Sequence, residues 1–247
     1  LDKLPLEDIH LRRAYQMVRI LRSYYPELIH NDRNPLQLLI GQLRYAAHTL
    51  VFPEASERQK KWALYTASLC AQEIEWRTLE QQGDLWVAWL PRLRTAPGKL
   101  GITILPGRRD RRRVLEKDLE TLKGYDVTHV VSLITRHEME DYGVPDLLQA
   151  YQTAGLENYH LPIIDQGTVP DEEIKLVLDW VQTALDNKGN VLIHCVGGLG
   201  RSGMLAACYL RRKGLPAAQA LSEVRAIRSP RAIESAAQET TVKQYEG

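Results

Sequence analysis

The sequence is poor in cysteine. Cys70, Cys195 and Cys208 are far apart and odd in number. That excludes a disulfide framework and a cysteine-based zinc site. It also points to a reducing compartment, so a cytoplasmic location is expected. No apolar run reaches the roughly 20 residues that a spanning helix needs, and no membrane partner is expected. No sign of charge dominates: 32 Lys and Arg stand against 31 Asp and Glu, a formal net charge of +1. A global pull toward nucleic acid is thereby excluded, and no nucleic-acid partner is expected. Residues 1–5 carry no signal-peptide pattern. No metal-ligand spacing and no nucleotide-binding loop occurs, so neither metal nor cofactor is expected.

What is present is an ordinary globular composition, 44% hydrophobic and 26% charged. Its length of 247 residues suits one large domain or two modest ones. Residues 1–85 read as a helical segment. Apolar positions recur at helical spacing from Leu6 to Tyr24, from Pro35 to Leu50 and from Glu54 to Gln82, where Gly83 ends the pattern. His10, His30 and His48 are isolated there, with no chemistry implied. These helices offer a surface for a partner.

Residues 86–247 change texture. Strands are expected at Ile102–Leu105, Val127–Ile134, Glu157–Ile163 and Asn190–Cys195. Helices are expected at Arg111–Lys123, Pro145–Ala154, Asp171–Asn187, Ser202–Lys213, Pro216–Arg228 and Ser235–Tyr245. Alternation of this kind implies an α/β domain with a central, mainly parallel sheet flanked by helices. In such sheets ligands bind at the carboxyl ends of the strands.

One such end carries the chemistry. Val191–His194 is a buried strand, Cys195 closes it, and Arg201 follows after five residues, three of them glycine. Glycine lets backbone amides curl around one point. The helix behind adds unpaired N–H groups and the positive end of its dipole. Val196, Gly197, Gly198, Leu199, Gly200 and Arg201 therefore form a cup for a phosphoryl group. A thiolate at its base is stabilised, and Arg201 offers a planar fork to two phosphate oxygens. Arg136, after a strand end, and Gln238, near the C-terminus, are candidate contacts to substrate or to the hydrolytic water. For Gln238 the plain alternative is a solvent-facing helix position. The basic run Arg108–Arg113 is either a solvated helix start or a steering patch for an anionic substrate.

His194-Cys195, five residues, then Arg201-Ser202 resembles the signature loop of the protein tyrosine and dual-specificity phosphatases. Leu105–Gly107, Tyr142–Leu148, Pro162–Asp165, Val196–Ser202 and Val242–Tyr245 resemble the cyclin-dependent kinase-associated phosphatases in particular. The likeness spans about residues 86–247 and leaves the N-terminal segment unassigned. It implies hydrolysis of a phosphorylated protein in two steps. Cys195 attacks phosphorus and forms a cysteinyl-phosphate. The loop amides and Arg201 hold the equatorial oxygens. Ser202 bonds the sulfur and eases its departure, and His194 braces the loop. A carboxylic acid protonates the leaving oxygen. Asp165 matches the family's general acid. Asp171 is its rival, although it also reads as a helix-start residue beside Glu172 and Glu173.

Other readings share this loop. A phosphoinositide or RNA 5′-phosphatase favours lysine in the cup, and none lies between Cys195 and Arg201. A phosphoprotein-binding module would have lost the nucleophile or the arginine, and both are here. Sulfur transfer or arsenate reduction fits less well with a separate loop bearing Asp165.

Overall fold

The computed structural model describes residues 85–247 except 96, and positions 41–42, 45–46, 48–49, 52–60, 63, 66 and 70 before them. The chain divides into two compact units, Leu1–Gln82 and Gly83–Gly247. In the first, every described position from 41 to 49 and from 57 to 70 is helical. These fall inside the second and third expected helices. The first, Leu6–Tyr24, lies outside the described residues, as do His10 and His30. His48 stacks on Phe52, with ring centroids 5.8 Å apart.

Elements are numbered within the second unit. Its strands are β1 (Ala88–Trp89), β2 (Lys99–Thr103), β3 (Val127–Ser132), β4 (Glu157–His160) and β5 (Asn190–His194). They form one sheet in the order β1-β2-β5-β3-β4. Only β1 runs antiparallel to its neighbour; the other pairings are parallel. The strand entering the cup, β5, thus lies mid-sheet. All five of its residues are buried, as an apolar run between two parallel neighbours requires.

The helices are α1 (Arg92–Thr95), α2 (Leu115–Gly124), α3 (Arg136–Asp141), α4 (Leu147–Thr153), α5 (Asp171–Asp186), α6 (Gly200–Arg212), α7 (Ala217–Ile227) and α8 (Ala236–Gln244). Pro170 and three acidic residues start α5, which buries Ile174, Val177, Leu178, Val181 and Leu185 on one face. Behind the loop, α6 is buried continuously from Gly200 to Leu210. That burial anchors the cup in the core.

All four expected strands end early, at Thr103, Ser132, His160 and His194. Single backbone bonds to the neighbouring segments continue past these ends, from Leu105 N to Val196 O, Leu133 N to His194 O and Ile163 N to Leu133 O, and the carbonyls of Leu133 and Ile163 also accept from Arg201. The expected helix from Arg111 is also corrected. A short 3₁₀ turn covers Arg109–Arg111, Arg112 is left-handed at φ 54°, and α2 starts only at Leu115. Three elements have no expected counterpart: β1, two residues long, α1, four residues long, and α3, whose capping box joins Thr135 to Glu138.

Candidate active site

Four consecutive loop carbonyls are tied down from outside. Val196 O accepts from Leu105 N (3.1 Å) and Arg108 Nη1 (3.0 Å). Gly197 O accepts from Arg228 Nη2 (3.0 Å) and Gly198 O from Arg228 Nε (2.8 Å). Leu199 O accepts from Gly203 N (3.0 Å) and Ile233 N (3.2 Å). A trans peptide points its N–H opposite to its carbonyl. Holding these carbonyls outward therefore turns the amides of residues 197–200 into the curve of the loop. Gly198 makes the curve possible. Its φ is +62°, and a Cβ there would lie 2.2 Å from Thr103 O.

Cys195 is buried at the base of the loop. Behind it, the fully buried His194 bridges two elements. Its Nε2 meets Tyr151 Oη at 2.9 Å and its Nδ1 meets Cys195 O at 3.3 Å. A carbonyl can only accept, so Nδ1 carries the proton and Nε2 accepts from tyrosine. Burial lowers the His194 pKa to about 4. The ring is therefore uncharged near neutral pH and bonded at both nitrogens.

Arg201 is 1% exposed. Its end-on fork grips Glu138, with Nη1–Oε2 at 2.8 Å and Nη2–Oε1 at 2.7 Å. Nη1 also donates to Ile163 O at 2.8 Å. Burial works against the arginine's charge, but the bonds from Glu138 outweigh it and raise its pKa. A Cys195 thiolate acts in the same direction. For Glu138, too, burial opposes charge, while the bonds from Arg201 and Thr135 prevail and lower its pKa. The side-on edge of Arg201 differs. Its Nε is buried with no partner, and its Nη2 contacts Asp165 Oδ1 at 3.2 Å. That edge is the one left to a ligand.

The family model of cyclin-dependent kinase inhibitor 3 matches residues 65–221. Mouse cyclin-dependent kinase inhibitor 3 is 39% identical over 169 residues, covering 67% of this chain and 78% of its own. Human dual specificity protein phosphatase CDC14C is 32% identical over 110 residues, 44% of this chain and 23% of its own. Among solved structures, kinase-associated phosphatase with its catalytic-site cysteine replaced by serine superposes with a TM-score of 0.61. It is 34% identical and is matched over 64% of this chain and 92% of its own. The chain belongs to the cyclin-dependent kinase inhibitor 3 family. It is a cysteine-dependent protein phosphatase of the dual-specificity type, with the α/β sheet of that class.

The structure brings Cys195, His194, Arg201 and Asp165 to one end of the sheet. Asp171 goes elsewhere: it opens α5, and its charge acts on Cys208 and Tyr245. Burial pushes the Cys208 thiol up to about 12, as befits an inert core cysteine. Ser202 is buried and its Oγ makes no hydrogen bond in this state. Arg136 is exposed on α3 and lines a groove with Met139, Pro145 and Gln149. Gln238 is fully buried, which corrects its reading as a solvent-facing position.

Three further residues of the site carry little mark in the sequence. Glu138 sits at the third position of the Thr135 capping box, a pattern visible in the sequence. Arg108 reads in the sequence only as part of a basic run; in the fold Asp110 chelates it and it reaches Val196 O. Arg228 had no signal at all, because its partners lie 30 and 31 residues away.

Proposed function

We propose that this family member hydrolyses phosphorylated protein side chains through a cysteinyl-phosphate, with Cys195 as nucleophile. The observation that carries this is the side-on edge of Arg201, free at Nε and covered at Nη2 only by an exposed aspartate. A phosphoryl group bound there has two oxygens on the guanidinium and the others on the amides of residues 197–200. Its phosphorus then lies over the Cys195 sulfur. Attack forms the S–P bond and breaks the P–O bond to the leaving group.

Phosphate must displace Asp165 from Nη2. Asp165 is 70% exposed and stands at the rim, where it can give a proton to the leaving oxygen. In the second step the same residue takes a proton from the attacking water, and the thiolate leaves. The hydroxyl of Ser202 supplies a hydrogen bond to that departing sulfur. The scarcity of cysteine, three in 247 residues, supports a reducing location such as the cytoplasm. Among the described residues no helix is long and apolar enough to cross a membrane. The names of the relatives, a cyclin-dependent kinase inhibitor and a kinase-associated phosphatase, support a phosphorylated protein kinase as substrate.

Acid quench of the enzyme turning over a radiolabelled phosphothreonine kinase should leave label on the protein. Cys195→Ser should retain none while still binding the substrate. Labelled Cys195→Ser would refute the assignment, and unphosphorylated kinase bound equally well would refute the substrate class.

A further inference from the structure

The amide of Gln238 and the hydroxyl of Ser235 are used more fully than a helix cap requires. Ser235 Oγ accepts from Gln238 N at 3.1 Å, and Gln238 Oε1 accepts from Ser235 N at 3.4 Å. This is the capping box of α8. A serine hydroxyl has one proton, and here it goes to Gln166 O at 2.8 Å. The Gln238 amide donates from Nε2 to Gly167 O at 3.2 Å. Both extra bonds land on the two residues that follow Asp165.

Those two residues need help. Residues 164–167 form a tight turn closed by Gly167 N–H to Ile164 O at 2.9 Å. Gln166, third in that turn, has φ +59°. That conformation suits glycine; in other residues it costs about 1–2 kcal/mol and persists only where the surroundings impose it. The Asp165 side chain, mostly exposed, is placed by this backbone. Gln238 also touches the other half of the site. A Cβ on Gly200, the last glycine of the phosphate loop, would lie 2.9 Å from its Oε1 and 3.1 Å from its Nε2. One buried amide therefore spaces the acid turn from the cup.

We propose that the α8 capping box is a clasp on the Asp165 turn, and that Ser235 and Gln238 are positioning residues for proton transfer. This rests on Asp165 being the general acid. The clasp assigns Gln238 a backbone-holding role in place of contact with the hydrolytic water.

The test separates capping from clasping. Ser235→Asp keeps a cap acceptor but removes the proton given to Gln166 O. Gln238→Glu keeps the acceptor and removes the donor to Gly167 O. Each should lower kcat for an alkyl phosphate, a poor leaving group, roughly 10-fold more than for an aryl phosphate with an acidic phenol, part of the full general-acid effect. Ser235→Thr, which keeps both functions, should restore the ratio. Added to Asp165→Asn, the Ser235→Asp change should cost nothing further, because both act on one step. Equal losses on both substrates, or no loss, would overturn the clasp. If Asp165→Asn itself shows no dependence on the leaving group, the assignment of the acid has failed instead.

Discussion

Arg201 and Glu138 join the loop to α3 through a two-point ion pair of 2.8 and 2.7 Å, with the arginine buried and the carboxylate half-buried. The pair fixes which edge of the guanidinium faces the ligand. Without Glu138 the buried cation would keep the Ile163 and Leu133 carbonyls and the exposed Asp165, but would lose the two-point grip that orients it.

Glu138→Gln should therefore destabilise the fold strongly, since breaking a buried pair costs roughly 3–5 kcal/mol. An oxyanion such as tungstate supplies the missing charge. It should raise the melting temperature of the variant more than that of the wild type in differential scanning fluorimetry. An equal rise in both would show that Arg201 does not depend on Glu138.

Acid should weaken the fold through His194. Its folded pKa is about 4, below the ordinary 6.5. Between those values the unfolded chain binds a proton that the folded chain refuses. Stability from this group is complete above pH 6.5 and falls as the pH drops toward 4. The loss is on the order of 3 kcal/mol. Glu138, with its lowered pKa, adds a further loss only at more acid pH. Urea midpoints measured across this window should fall steeply in the wild type and less in His194→Gln.

Adjacent glycines should respond differently to the same change. Gly198→Ala sets a Cβ against the Thr103 backbone at φ +62°. The left-handed backbone alone costs about 1–2 kcal/mol, and the clash adds to it. Gly197→Ala meets only the Leu199 side chain at 3.9 Å. Its stability should stay within about 0.5 kcal/mol of the wild type by urea unfolding. Similar losses in both would contradict the loop geometry.

Arg228→Lys keeps the charge but cannot make the two directed bonds to Gly197 O and Gly198 O. The loop amides should lose their aim. A fall in kcat/KM of roughly 10-fold or more, about 1.4 kcal/mol, is expected, with matching weakening of inhibition by inorganic phosphate. Unchanged phosphate inhibition would remove Arg228 from the support of the cup.

The chemistry was legible in the sequence because its parts are local. Val191–Arg201 encodes strand, thiol, glycine loop and arginine in one contiguous stretch. The alternation of β-branched runs with amphipathic helices likewise settled the parallel sheet. Asp165 stands out by its resemblance to the family's general acid, at the start of the loop after an expected strand. Glu138 had a local sign, Thr135-x-x-Glu138, but a capping box does not say what else its carboxylate will meet.

The tertiary structure decided everything that depends on distant chain segments meeting. Arg228 and Arg108 reach the loop from elements far away in sequence, and Gln238 lies buried on a helix of weak amphipathic pattern. Asp165 and Asp171 are six positions apart in the sequence, yet the fold sets one against Arg201 and makes the other the first residue of α5. Spacing along a chain fixes which side chains share a turn or a strand end. Which carbonyls are held outward, and so where the amides point, follows only from the partners that folding brings against them.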